Sequence, residues 1–230
     1  MRNKVVAIVL AAGQGKRMNS QVAKQYLQIK NKPLLYYTLT AFEKSYVDEI
    51  ILVATNGEEQ YCKEQIVDTF GIKKVKAIVA GGRERYDSVL QGLNACHEAE
   101  YVLIHDGARP CIKPDVINRT IDCVKEYQAC IVAMPVKDTI KIVDDGMVAE
   151  TLDRKSLMIV QTPQAFSYSL IRNAYDKIMQ QDHDNLTDDA MVVERMTDVP
   201  IHIVEGSYAN IKVTTPEDLL VAEAFLHSIG

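Results

Sequence analysis

The sequence predicts an α/β protein: a mostly parallel β-sheet with helices on both faces, from which a β-hairpin arm projects. Short apolar runs alternate with helical stretches through the first half of the chain, a pattern typical of parallel sheets covered on both sides. The alternation stops after Met134, where an Asp-Gly pair separates two further β-like runs. We therefore expect a parallel sheet from the first half and a hairpin at the interruption.

Five runs rich in β-branched residues predict buried strands, because such side chains fit the pleated surface of a sheet. They cover residues 5–10, 49–54, 76–79, 101–105 and 130–134. The stretches between them predict helices over residues 34–44, 58–70, 87–96 and 114–127. The second half predicts a strand at 158–161, helices near 167–180 and 188–196, a strand at 201–204 and a last helix from Pro216.

Residues 135–153 are predicted to form an arm of a single domain that spans residues 1–230. The two strands of the arm, 139–143 and 147–151, flank an Asp-Gly turn, which favours a hairpin because these residues tolerate positive φ. A two-stranded arm is unstable alone. We therefore expect a second subunit to pack against it.

Composition disfavours several classes of partner. The net charge of −5 argues against nucleic-acid binding, which normally needs a basic excess, although a few clustered cations can still bind a small anion. No run approaches the roughly 20 apolar residues that cross a bilayer, so we expect no membrane association. The five cysteines show neither a CxxC motif nor zinc-ligand spacing, as expected of free thiols in a reducing cytoplasm.

The loop "LAAGQGKRM", residues 10–18, is a candidate phosphate-binding loop. It is not a Walker A motif, since Leu10 and Arg17 stand where that motif needs Gly and Ser or Thr. It is not a dinucleotide fingerprint either, since Met18 replaces the third Gly. Its small residues leave backbone N–H groups uncovered, and Arg17 and Lys24 add charge suited to phosphoryl or nucleotidyl transfer. A tight turn with solvated basic residues accounts for this loop equally well.

Two further loops carry residues suited to binding a nucleotide. In "GGRERYDSV", Gly81 and Gly82 leave room for a flat base whose edge Ser88 can hydrogen-bond; the alternative is a turn with a polar helix start. In "IHDGARP", Asp106 follows an apolar strand, where open α/β sheets bind ligands. Its carboxylate suits Mg²⁺ and Arg109 suits a phosphate, whereas an Asx-turn is the alternative for Asp106.

Seven segments together resemble the 2-C-methyl-D-erythritol 4-phosphate cytidylyltransferases of the non-mevalonate isoprenoid pathway. They are "LAAGQGKRM" with "KQY", "GGRERYDSV", "HDGARP", "PVKDTIK", "TPQAF", "TDDA" and "NIKVTTPEDL". Each segment is short, but their order over almost the whole chain is specific. The chain departs from many relatives at Gly107, where they carry Ala, and at Arg83, which replaces an acidic residue of some members.

The resemblance implies a Rossmann-like nucleotidyltransferase (GT-A-like) sheet whose β-arm clasps the partner of a homodimer. It implies that CTP and methylerythritol phosphate react, with Mg²⁺, to give the CDP-alcohol and pyrophosphate. A ribitol 5-phosphate cytidylyltransferase is the nearest alternative, because it shares the fold and most nucleotide contacts. More distant alternatives are a sugar-1-phosphate nucleotidyltransferase and a CTP-binding module without activity.

The resemblance also implies roles for individual residues. The nucleotide would be contacted by Ala11, Ala12, Gly13, Gly15, Gly82, Arg85, Ser88 and Asp106. The catalytic cations would be Arg17, Lys24 and Lys212, and the metal ligand would be Asp106. The polyol phosphate would be held by Asp106, Arg109, Thr162 and Lys212, together with Thr139 and Arg154 from the arm of the partner subunit. We expect His105 to support Asp106, and Thr187-Asp188-Asp189 to act first as a helix cap.

Overall fold

Seven strands form the central sheet of the computed structural model, which describes residues 3–13, 23–181 and 185–228. In chain order the strands are β1 (Val5–Ala11), β2 (Gln28–Ile29), β3 (Lys32–Pro33), β4 (Glu49–Ala54), β5 (Val75–Ala80), β6 (Tyr101–Asp106), β7 (Ala129–Pro135), β8 (Lys141–Asp144), β9 (Met147–Thr151), β10 (Met158–Ser167) and β11 (His202–Glu205). The α-helices are α1 (Leu34–Glu43), α2 (Glu59–Tyr61), α3 (Arg85–Asn94), α4 (Pro114–Tyr127), α5 (Tyr168–Ile178), α6 (Asp189–Met196) and α7 (Pro216–Ser228).

The strand order of the central sheet is β11-β7-β10-β6-β1-β4-β5. Strand β1 lies between β6 and β4 and runs parallel to both; β4 is also parallel to β5, and β7 to β11. Only β10 among these strands runs antiparallel to its neighbours, β6 and β7. The mostly parallel sheet expected from the sequence is therefore confirmed.

Helices cover both faces of this sheet, and β1 shows why. Its side chains alternate between two buried clusters, so Val5, Ala7 and Val9 join the cluster that contains α1 and α4. Val6 and Ile8 join the cluster that contains α3 and α5. A strand buried on both faces needs a continuous apolar run, which is what its sequence contains. None of the helices in the described ranges has the length and apolarity that a membrane span requires.

The segment 58–70 is helical as predicted but differs in helix type, and the strand predicted at 158–161 is longer than expected. The expected helix at 58–70 is a short α2 followed by a π-helix over Cys62–Asp68. The expected short strand at 158–161 is the ten-residue β10, whose pairing with β7 shifts register between Val160 and Gln164. The small hairpin formed by β2 and β3 was not predicted.

The projecting hairpin is confirmed as strands β8 and β9, which pair with each other antiparallel. Its first strand begins at Lys141 rather than at residue 139, and its turn residues Asp145 and Gly146 have the positive φ expected of them. Met147 and Val148 are 70% and 62% exposed, respectively. The arm thus carries apolar side chains that nothing in this chain covers within the described residues.

Substitution of Gly92 should test the close packing of α3 on the sheet. A Cβ at Gly92 would meet Ile8 Cγ2 and lie 3.2 Å from Val53 Cγ2. We expect Gly92→Ala to lower the free energy of unfolding by about 1–3 kcal/mol, because overpacking outweighs the better helix propensity of Ala. The control is Gln91→Ala on the exposed side of the same helix. Its free energy of unfolding, measured by urea denaturation, should lie within about 0.5 kcal/mol of the wild-type value. Equal stability of the two variants would contradict this account.

Candidate active site

A cavity of about 460 Å³ opens at the carboxyl ends of β1, β4, β5 and β6. These four parallel strands are neighbours in the sheet, so the residues that follow them meet at one edge, as is general in open α/β sheets. The cavity is lined by Leu10, Ala11, Ala12, Gly13, Lys24, Gln25, Thr55, Asn56, Gly81, Gly82, Arg83, Glu84, Arg85, Ser88, Asp106, Ala108 and Lys212.

Glycine is required where the loop after β5 approaches the end of β1. A Cβ at Gly81 would meet the Cβ of Ala12 and lie 2.9 Å from Ser88 Oγ. Ser88 Oγ accepts a hydrogen bond from the N–H of Gly82 at 3.1 Å and donates to Glu84 O at 3.2 Å. The Ser88 hydroxyl therefore shapes the glycine turn. Gly82 and Ser88, which the sequence suggested as binding residues, both border the cavity.

Asp106, the last residue of β6, lies at the centre of a cluster of cations. Lys212 Nζ is 2.9 Å from its Oδ2, and the Nε atoms of Arg85 and Arg109 are each 3.6 Å from its carboxylate. Burial opposes ionisation of Asp106, but the charges of Arg85, Lys212 and Arg109 outweigh burial and hold its pKa well below the usual range. The carboxylate is therefore ionised at any pH at which the protein would be assayed.

The backbone of Asp106 is held from behind by a buried pair of side chains. The N–H of Asp106 donates to Thr162 Oγ1 at 3.1 Å, and this oxygen lies 3.1 Å from His105 Nδ1. His105 is fully buried, and burial lowers its pKa to about 3, so the imidazole is neutral. His105 thus supports Asp106 through Thr162, as expected. The neighbouring Gly107 lies close to β1, because its N–H donates to Leu10 O at 2.8 Å.

The loop that presents Lys212 is fixed by Asn210, whose importance the sequence did not reveal outside the resemblance. Asn210 is fully buried, and its Nδ2 donates to Thr162 O at 2.9 Å and to Gln161 Oε1 at 3.1 Å. Its carbonyl accepts a hydrogen bond from Arg109 Nη1 at 2.8 Å. Asn210 therefore contacts β10 through its side-chain amide and Arg109 through its backbone carbonyl, and so fixes the loop that carries Lys212.

Asp189 belongs to the segment Thr187-Asp188-Asp189, which the sequence assigned first to a helix cap and only second to a function. Its fully buried carboxylate accepts two hydrogen bonds from Arg85, at 2.9 Å from Nη1 and 2.7 Å from Nη2. The expected cap is formed by Asp188, whose Oδ1 accepts from the N–H of Met191 at 3.0 Å. The available signal was a second Asp directly after a cap residue, which capping by itself does not need.

The structure brings most of the predicted site residues together. Those that line the cavity are Ala11, Ala12, Gly13, Lys24, Gly82, Arg85, Ser88, Asp106 and Lys212. Arg109 and Thr162 contact Asp106 without lining the cavity, whereas Thr139 and Arg154 are exposed beside the arm of the same chain. Gly15 and Arg17 lie outside the described residues. Lining residues that the sequence did not suggest include Gln25 and Thr55, which are joined by a hydrogen bond of 3.3 Å.

Known proteins similar to this chain agree on one family. The family model for 2-C-methyl-D-erythritol 4-phosphate cytidylyltransferase matches residues 5–228. The cytidylyltransferase of that name from Lachnoclostridium phytofermentans is 54% identical over 97% of this chain and 96% of its own length. The Lachnospira eligens protein of the same name is 50% identical over 96% and 98%. The crystal structure of 4-diphosphocytidyl-2C-methyl-D-erythritol synthase from Anaerococcus prevotii superposes with a TM-score of 0.86 at 35% identity, covering 98% of this chain and 96% of that one.

The buried neutral His105 predicts how stability depends on pH. An unfolded chain protonates this imidazole below about pH 6.5, whereas the folded protein resists protonation until about pH 3. The unfolded state therefore binds more protons in this window, and the free energy of unfolding should fall as the pH drops through it, by a slope approaching about 1.4 kcal/mol per pH unit.

Urea denaturation between pH 7 and pH 5 checks this expectation. His105→Asn should show a shallower decline than the wild type, because its side chain does not titrate. The exposed His227 provides the control, and His227→Gln should retain the wild-type decline. Parallel curves for the wild type and His105→Asn would contradict the assignment.

Proposed function

Because the chain belongs to the 2-C-methyl-D-erythritol 4-phosphate cytidylyltransferase family, we propose that its cavity binds CTP and that the cluster around Asp106 is the catalytic centre. The chain is a cytidylyltransferase that converts CTP and 2-C-methyl-D-erythritol 4-phosphate to 4-diphosphocytidyl-2-C-methyl-D-erythritol and pyrophosphate. The observation that carries the proposal is the convergence of Arg85, Arg109 and Lys212 on Asp106 at the edge of this cavity.

The chemistry requires positioning and positive charge rather than a general base. The acceptor phosphate is already an anionic nucleophile at neutral pH. One of its oxygens bonds to the α-phosphorus of CTP, while the bond between the α-phosphorus and the oxygen that bridges to the β-phosphorus breaks and pyrophosphate leaves. Attack brings anions together, so fixed cations that meet the developing charge lower the barrier. Lys24 and Lys212 border the cavity and suit this role, and Arg17 joins them by family resemblance.

The nucleotide site is proposed at the strand ends. Ala11, Ala12 and Gly13 line the cavity, and their backbone would meet phosphates, whereas the turn at Gly82 and Ser88 would meet cytosine. Gly15 belongs to the same proposal by resemblance. Arg85 would meet the base or ribose from the wall between that turn and Asp106.

The polyol phosphate is proposed to bind on the Lys212 side of the cluster. Asp106 and Arg109 border that side, with Thr162 holding Asp106 in place. Thr139 and Arg154 of a partner subunit would complete the site, since both are exposed beside the arm. We propose a homodimer for this reason and because the arm exposes apolar side chains.

The residues present fit a Mg²⁺ ion. Asp106 contributes an ionised carboxylate at the cavity wall, and Mg²⁺ is commonly held by one or two carboxylates while substrate phosphates and water complete its shell. When bound, the ion would neutralise charge on the phosphates of CTP. We also propose that the enzyme works in the cytoplasm, which agrees with its cysteines being free, four of them buried.

Pyrophosphate release with CTP and Mg²⁺ tests the proposed function. We expect release with 2-C-methyl-D-erythritol 4-phosphate to be at least roughly tenfold faster than with ribitol 5-phosphate, because polar groups of the site stay unpaired against the wrong polyol. Release with ribitol 5-phosphate alone would support cytidylyl transfer but would contradict 2-C-methyl-D-erythritol 4-phosphate as the acceptor. Release with neither acceptor would overturn the proposed function.

Lys24→Ala should separate catalysis from binding. The side chain of Lys24 passes close to Gly13, where an added Cβ would lie 3.6 Å from Lys24 Cε. We expect kcat to fall by roughly 100-fold or more and the Kd for CTP to rise less than roughly tenfold, because a cation aimed at the transition state matters most there. Lys32→Ala is the control, since Lys32 contacts Tyr36 and does not line the cavity. Equal losses in kcat and in CTP affinity would show that Lys24 is a ground-state contact.

A further inference from the structure

We propose that Asp189 is a positioning residue of this active site, which acts through Arg85 by turning the guanidinium away from a bidentate pair with Asp106. The proposal rests on the proposed function and deepens it. It concerns the segment Thr187-Asp188-Asp189, of which helix capping uses only Asp188.

Arg85 lies between two carboxylates that are unequal partners. Both of its terminal nitrogens donate to Asp189, at 2.9 and 2.7 Å, while its Nε is 3.6 Å from Asp106 Oδ1. A guanidinium is a rigid planar fork, so two bonds at its tip fix its rotation. The direction in which Arg85 faces Asp106 is therefore decided by Asp189.

Asp189 is itself held by groups that do not border the cavity. Tyr175 Oη donates to Asp189 Oδ1 at 2.7 Å, and the N–H groups of Asp189 and Ala190 donate to Gln164 Oε1 at 2.9 and 3.0 Å. Gln164 also donates from Nε2 to Asp188 Oδ2 at 2.8 Å. The start of α6 is thus fastened to β10, the strand from which Thr162 holds the backbone of Asp106.

This arrangement limits Arg85 to one contact with Asp106, whose carboxylate also faces Lys212 and Arg109. Lys212 Nζ occupies Asp106 Oδ2 at 2.9 Å, and no second nitrogen of Arg85 competes for the carboxylate as long as Asp189 occupies the tip of the guanidinium. Without Asp189, Arg85 would be free to pair bidentately with Asp106 and to leave the cavity wall. A buried ion pair such as Arg85–Asp189 adds little net stability. Its proposed role is to hold the Arg85 guanidinium in the direction in which it would contact the nucleotide.

A double-mutant cycle with Asp189→Asn and Arg85→Gln tests the proposal. In Asp189→Asn an amide N–H₂ replaces one acceptor of Arg85, so one charge-assisted hydrogen bond is lost. We expect the Kd for CTP, measured by calorimetry, and the KM for CTP to rise roughly 10- to 100-fold, because a misdirected Arg85 would lose one charge-assisted hydrogen bond to the nucleotide. The KM for 2-C-methyl-D-erythritol 4-phosphate at saturating CTP should change less than about twofold, since Asp189 acts on the nucleotide side.

The two substitutions should not be additive. If Asp189 acts through Arg85, adding Asp189→Asn to Arg85→Gln should leave the Kd for CTP within about twofold of Arg85→Gln alone. Tyr175→Phe is the matched control, because it removes a hydrogen bond to the same carboxylate and leaves the Arg85 pair. It should lower the urea midpoint while changing the Kd for CTP less than about threefold.

The possible outcomes are distinct. Independent losses that multiply in the double variant, or a wild-type Kd in folded Asp189→Asn, would overturn the proposal. Equal weakening of CTP binding in Tyr175→Phe and Asp189→Asn would also overturn it, by showing a merely structural role. Failure of the proposed function appears separately, as absent pyrophosphate release in the wild type, and the calorimetric cycle with CTP decides the role of Asp189 in that case as well.

Discussion

The site depends on one buried anion, the carboxylate of Asp106, which must remain ionised at the end of a hydrophobic strand. Burial alone would favour its protonated form, and the charges of Arg85, Lys212 and Arg109 reverse that preference. In return, the negative charge of the carboxylate offsets the mutual repulsion of the three cations that surround it. A protein with a net charge of −5 thereby concentrates positive charge where anionic substrates would bind.

The antiparallel strand β10 supplies the support behind this cluster. Thr162 on this strand accepts a hydrogen bond from the backbone of Asp106, and its carbonyl accepts from Asn210, whose own carbonyl fixes Arg109. Two residues further on, Gln164 fastens the start of α6 and so places Asp189 beside Arg85. Because a single strand holds all these partners, the cations keep their geometry although they come from distant parts of the chain.

Close backbone approach is the second constraint on the site. At Gly81 even a methyl group would strike Ala12 and Ser88, and the N–H of Gly107 donates to Leu10 O at 2.8 Å. These approaches draw the loops after β5 and β6 against the end of β1. The backbone of Ala12 and Gly13 and the carboxylate of Asp106 consequently border one cavity, where the proposed nucleoside triphosphate would bind.

The sequence by itself determined the elements whose signals are local: β4 at 49–54 and α4 at 114–127 have the predicted bounds, and the Asp-Gly turn forms the predicted hairpin. The family resemblance also named nine of the residues that line the cavity, and most of them lie at or after the ends of β1, β5 and β6. Only the tertiary structure decided the direction of β10, the π-helix at Cys62–Asp68 and the pairing of Arg85 with Asp189, 104 residues away. Strand direction and ion pairing depend on which distant segments become neighbours, and no periodicity or propensity within a segment encodes that choice.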